Sequence, residues 1–116
     1  YWPAISNVVD VISAMPYPDH YGESGGYKPW EHPYETLSMW AAGAVARQAE
    51  TPTPAGVRTW IQAYDAIRPP YPTYGPDQVG AQIRAIRDAG ITGGYMTWNG
   101  SSNIYKYQSL VPAFNL

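Results

Sequence analysis

Three short apolar runs, residues 7–16, 57–64 and 92–98, constrain this chain most, because each is too short for a helix of ordinary length and each is followed by a loop-forming stretch. Residues of helical period lie between the first run and the second, and again between the second and the third. Strand, long loop, helix, strand, loop, helix, strand is a series of consecutive βα units, which sets the strands parallel with right-handed crossovers. The first helix is read from Tyr34, where Leu37, Trp40, Ala41, Ala44, Val45 and Gln48 recur at intervals of three and four. It ends near Glu50, because TPTPAG cannot continue it. The second is read over 76–89, opened by Pro76, with Asp77 near its positive end and Gly90 as its C-terminal cap. Its buried stripe is Val79, Ile83 and Ile86, and a last short helix is expected over 105–110.

Alternation along the middle strand separates two kinds of surface. Arg58, Trp60, Gln62 and Tyr64 share one face, and Val57, Thr59, Ile61 and Ala63 share the other. The small, β-branched face is expected under helices. The large polar and aromatic face is expected to point into a barrel lumen, with its last residue at the rim. The stretches after the first two strands, 17–33 and 65–75, are rich in Gly, Pro and Tyr and read as long loops on the side where (β/α) barrels keep their sites. The fold class is therefore α/β, about three βα units. A doubly wound sheet is the alternative, and the lack of a Gly-rich phosphate turn after any strand argues against a nucleotide-binding version.

At 116 residues the chain is one domain's worth, yet it falls well short of the roughly 250 residues of a closed eight-stranded barrel. It is accordingly expected to be a single partial domain over 1–116, and its start, without Met or a basic n-region, is expected to reflect processing or fragmentation. A formal charge of -2 leaves no basic stripe for nucleic acid, and no stretch is long and apolar enough to span a membrane. The absence of Cys excludes disulfides and thiolate metal sites without assigning a compartment. Eleven Tyr and five Trp against one Phe suit a cleft that stacks on sugar C–H faces and hydrogen-bonds hydroxyls; the plainer reading is a core that uses Tyr where others use Phe.

Candidates for chemistry lie at the strand ends. Asp19 and His20 follow the first strand, where a carboxylate and an imidazole can reach a sugar hydroxyl or assist proton transfer; the plainer reading of Asp19 is an Asx-turn carboxylate. Tyr17 either points into the rim or packs under the loop. Gln62, on the lumen face, must be satisfied by a ligand or by an internal network. Tyr64 is a stacking group beside it, and Asp65 is an acid/base candidate that also suits a turn before Pro69 and Pro70. Trp98 can floor a sugar subsite while Asn99 donates to and accepts from vicinal hydroxyls; otherwise Trp98 plugs the barrel and Asn99 caps the loop. Asn103 and Tyr105 are read as ordering that loop, and the formal glycosylation triplet at Asn99 is read as rim chemistry. Glu23, Glu31 and His32 have no recognised ligand spacing, so neither a metal nor a cofactor is expected.

Three ordered segments, DVISAMPYPDHYG, VRTWIQAYD and QIRAIRDAGITGGYMTWNGSSNIY, resemble the C-terminal part of the putative glycosyl hydrolase domain family, TIM barrels of the glycosidase superfamily. The resemblance covers nearly the whole chain, with two departures: Asp19 stands where a Ser is expected before His20, and Thr59 where a Pro is common. It implies that the three units are the C-terminal portion of a (β/α)8 TIM barrel. It further implies action on O-glycosidic bonds of a poly- or oligosaccharide, an extracellular or cell-envelope location, and acidic residues at the ends of earlier strands that this chain does not contain. Asp19 and Asp65 are then the catalytic candidates here, and Tyr17, His20, Gln62, Tyr64, Trp98 and Asn99 the substrate-binding ones. The 116-residue segment alone is expected to lack turnover, since hydrolysis needs two carboxyls flanking the bond. It is also expected to associate with itself or with its missing N-terminal half. The alternatives are a non-catalytic carbohydrate-binding barrel and a structural or assembly module.

Overall fold

The sheet is built around one run of chain. In the computed structural model, which describes residues 1–115, this run carries β2 (Gly56–Val57) and β3 (Thr59–Gln62), interrupted at Arg58. On one side β1 (Val11–Ile12) pairs with β2 in parallel, and on the other β4 (Tyr95–Trp98) pairs in parallel with β3, Gln62 lying opposite Trp98. The N–H groups of Gly56, Arg58 and Trp60 donate to the carbonyls of Asp10, Ile12 and Ala14 at 2.9, 3.1 and 3.0 Å, so the two short ladders follow one another along the central run. The observed class is α/β with short parallel strands.

Two helices make the crossovers. α2 (Pro33–Ala49) and α3 (Pro76–Asp88) both start at a proline, whose missing N–H is harmless in a first turn. The Gln78 side chain accepts the N–H of Gly75 at 3.0 Å to close the start of α3, and Gly90, at φ +89, follows its end. Leu37 and Ala41 of α2 meet Val79, Ile83 and Ile86 of α3 over Ile61 and Ala63, the β-branched face of the central strand. Each Leu or Ile buried in this way contributes about 1.5–3 kcal/mol. Two short terminal helices, α4 (Ile104–Ser109) and α5 (Val111–Phe114), add Leu110 and Ala113 to the same core. They replace the single helix expected over 105–110.

Other boundaries differ for physical reasons. The first strand pairs only over Val11–Ile12 because its ends are engaged elsewhere. Asn7 Oδ1 accepts from the N–H and the hydroxyl of Thr53 at 2.9 and 2.6 Å, and past Pro16 the Tyr17 N–H folds back onto the Met15 carbonyl at 2.9 Å. The last strand begins at Tyr95 rather than Thr92, since Gly94 takes φ +88 and Gly93 passes so close to Val57 that a Cβ there would collide with the Val57 carbonyl. A helix not foreseen in the sequence, α1 (Trp2–Ser6), seats Trp2 edge-on against Trp40 at 6.4 Å. Trp2 Nε1 and Ser6 Oγ donate to Gln48 Oε1, and Gln48 Nε2 donates to the Ala55 carbonyl at 2.6 Å.

Opposite the helices the sheet stays open. Val11 and Trp98 are well exposed on that face and Trp60 is half-buried. A body of 42 × 35 × 24 Å with one thin dimension is the shape of a sheet covered on one side.

Candidate functional site

The two long loops at the C-terminal ends of the strands are bound into one block. A 3-10 turn at Pro18–His20 turns Asp19 inward until it is 2 % exposed. Its N–H donates to Gln62 Oε1 at 3.0 Å, its Oδ2 accepts from the Ile67 N–H at 3.2 Å, and its buried Oδ1 has no hydrogen-bond partner among the described residues. A second turn, Pro29–Glu31, buries Trp30 against the other loop: Trp30 Nε1 donates to the Pro69 carbonyl at 2.9 Å. The Arg68 guanidinium lies 4.0 Å over the Trp30 ring and donates to the Tyr21 carbonyl at 2.8 Å. The Tyr74 hydroxyl donates to the Trp30 carbonyl at 2.7 Å. Loops fastened at this many points hold whatever they carry in a fixed arrangement.

Aromatic groups line the block. Tyr17 meets His20 edge-on at 5.3 Å and Tyr64 at 6.1 Å, so three of the residues singled out from sequence are brought together. Burial pushes the Tyr17 phenol up to about 12. Burial first, then the charge of Asp19, raises Tyr64 still further, and the same two causes raise Tyr74. Phenols held in this way are hydrogen-bond donors at neutral pH, not nucleophiles. Trp98 stands on the open face at the end of β4, 47 % exposed and perpendicular to Trp60 at 6.0 Å.

The two polar residues expected beside these aromatics are engaged internally. Gln62 is fully buried; its Oε1 holds the Asp19 N–H and its Nε2 donates to the Tyr64 carbonyl at 3.2 Å. Of the two ways of satisfying Gln62, the internal network is the one observed. Asn99, also buried, donates to the Ala63 carbonyl at 3.0 Å and accepts from the N–H and hydroxyl of Ser101 at 3.2 and 2.7 Å. It ties the loop after β4 to the end of β3.

Asp65 lies in a different part of the rim, a polar recess of about 180 Å³ lined by Tyr64, Asp65, Asn99, Ser101, Asn103 and Lys106. Its Oδ1 accepts from the Tyr74 N–H at 2.8 Å and from Lys106 Nζ at 2.6 Å. Burial works against the charged form of Asp65, but the bonds from Lys106 and Tyr74 outweigh it and hold the carboxyl below its usual value. Lys106 was not singled out from the sequence. No local signal marks it, since a cation in the last turn of a short helix is ordinary. Trp30, Arg68 and Gln82 were also passed over, since their partners lie in other elements.

Tyr17, 3 % exposed, packs under the loop, so the rim offers an ionised carboxylate paired with an ammonium, one half-buried phenol at Tyr64, an exposed indole and an exposed imidazole at His20. Among the described residues no three His, Cys, Asp or Glu side chains gather as a metal site, and no helix is long and apolar enough to cross a membrane. Compared with known sequences, residues 1–105 match a family model described as "Putative glycosyl hydrolase domain". No curated protein and no solved structure is significantly similar to the chain.

Proposed function

The chain belongs to the Putative glycosyl hydrolase domain family, whose function is glycosidase-like, and from that membership we propose that it forms the substrate-binding rim of a (β/α)8 barrel cleaving O-glycosidic bonds in an oligo- or polysaccharide. The observation that carries this reading is Trp98: an indole face open at a strand end, braced by Trp60, next in the ladder to a strand that runs on to Tyr64. Such a surface stacks on a pyranose ring while neutral Tyr64, half-buried at the strand end, donates to a hydroxyl and the buried Tyr17 packs beneath it. Gln62 and Asn99 act from behind by holding the rim. The open face of the sheet is the lumen side, closed by the remaining strands of the barrel or by association of the chain with itself.

Hydrolysis requires a proton donor and a second carboxylate or activated water on opposite sides of the anomeric carbon. Asp19 is sealed in, and Asp65 is already ionised and paired, so the acid is assigned to another strand of the barrel. The 116-residue chain is therefore expected to bind saccharide without turning it over. The test is a panel of neutral and acidic oligosaccharides assayed for binding and for hydrolysis with the wild-type chain and Trp98→Ala. Loss of binding in the variant supports the reading. Turnover by the isolated chain that disappears in Asp19→Asn or Asp65→Asn overturns the division of labour. The burial of Asp19 also favours a second reading, a barrel that binds carbohydrate without cleaving it, which predicts binding with no hydrolysis even in the complete barrel.

A further inference from the structure

The polar recess between the ends of β3 and β4 contains a pair whose geometry goes beyond the stacking rim. Lys106 reaches from α4 to Asp65, 41 residues earlier in sequence, and its ammonium lies 2.6 Å from Oδ1. The Tyr74 N–H, from the far end of the same loop as Asp65, takes that same oxygen at 2.8 Å. Both donors converge on one oxygen, and among the described residues Oδ2 has no hydrogen-bond partner while the Asp65 side chain is 55 % exposed. Lys106 is the more enclosed member, 17 % exposed, and an ammonium carries three N–H donors, of which Asp65 is the one acceptor found among the described residues.

We infer that Lys106 is a positioning residue for Asp65: it fixes the carboxylate by one oxygen, leaves the other facing the recess, and so makes Asp65 an acceptor for a substrate proton or hydroxyl and unfit to be the proton-donating acid. The inference rests on the glycosidase reading for its substrate, a neutral sugar whose adjacent hydroxyls meet one acceptor (Oδ2) and one donor (Nζ) side by side. An acidic sugar would place its carboxylate against Asp65. The ionisable groups facing Asp65 in the recess are Lys106 and Tyr64, and Tyr64 is held neutral, so the ammonium is the charge that sets the ionisation of Asp65.

The experiment follows the Asp65 carboxyl carbon by NMR through an acid titration in the full chain, in wild type, Lys106→Met and Lys106→Arg, with thermal midpoints measured alongside. Lys106→Met is expected to move the Asp65 titration to higher pH with a thermal midpoint close to wild type, and Lys106→Arg to restore the titration. An Asp65 titration unmoved by Lys106→Met overturns the inference, and so does a collapse of the thermal midpoint, which would make the pair a structural strut. In the oligosaccharide panel, neutral sugars are expected to perturb the Asn103 and Lys106 amides in wild type and not in Asp65→Asn; acidic sugars perturbing them more strongly would overturn the assigned substrate class. A panel in which no sugar of either kind binds strikes the glycosidase reading, whereas the titration judges Lys106 and Asp65 whatever the panel returns.

Discussion

The two faces of the sheet are made by alternate residues of the same strands and have opposite fates. Ile61 and Ala63 vanish under α2 and α3, while Trp60, their neighbour in sequence, stays half-buried with Trp98 exposed beside it. Period-two alternation sorts side chains without regard to hydrophobicity: tryptophan, the larger apolar group, is on the uncovered side. The closed face is therefore where burial stabilises the fold, and the open face is the one left available for the recognition or association proposed above.

Four measurements can break that contrast or make it sharper. The largest effect is expected for Ile83→Ala, which removes a fully buried side chain from the closed face and should cost about 2–5 kcal/mol in urea unfolding. Val11→Ser on the open face should stay within about 0.5 kcal/mol; equal costs for the two would show that the faces do not differ. Next comes Gln82→Ala, which strips the partners from both the N–H and the carbonyl of Gln62, at about 1–3 kcal/mol for a group left unpaired. Hydrogen exchange at the Gln62 amide should accelerate with it, and an unchanged rate would refute the pairing.

A smaller effect should appear on raising the pH. The Tyr17 phenol is pushed up to about 12 from 10.0 by burial, so its folded value lies above its unfolded one. Its contribution is complete below pH 10 and fades as the pH rises through about 12, so Tyr17→Phe should lessen the alkaline fall of the thermal midpoint, the raised phenols of Tyr64 and Tyr74 supplying the rest. The smallest effect on stability, though not on behaviour, is expected from Val11→Ser combined with Met15→Ser, both exposed beside the open face. Sedimentation should show less self-association with the same unfolding midpoint. A wild-type chain that stays monomeric at every concentration would contradict the association reading.

The parts of this architecture that could be read in the sequence are those set by short-range periodicity. Val79, Ile83 and Ile86 announce a buried helix stripe by spacing alone, as do Leu37, Ala41 and Ala44, although Val45, part of the same expected periodicity, is exposed; the Pro76 and Gly90 boundaries are local backbone chemistry. The alternation of 58–61 was legible for the same reason, but Gln62, expected on the outward face, is fully buried. What could not be read is set by partners distant in sequence. Nothing near Asn7 says that Thr53 will engage it and shorten the strand, and nothing near Asp65 names Lys106. Gln82 defeats a pattern reading outright, since a polar residue within an amphipathic helix is ordinarily assigned to solvent, and here it is fully buried. At the rim the residue types were visible, but whether Gln62 or Asn99 faced a ligand or the interior depended on acceptors that folding alone brings near.

The pairing of Gln82 with Gln62 has a consequence for how the rim can change. Gly56, Arg58 and Trp60 each donate to β1 or its flanks, and Gln62 is next in that sequence of alternate residues, but by then the first strand has turned away at Pro16. The Gln82 amide stands in for the departed strand, accepting the Gln62 N–H and donating to its carbonyl, both at 2.9 Å. Helix and strand are thus indexed to one another by a side chain, independently of the thirteen residues that join them in sequence from Ala63 to Gly75. The height at which Tyr64 leaves the strand is therefore set from the helix side, by a single amide, and not by the loop over 65–75, whose own fastenings run to the other long loop.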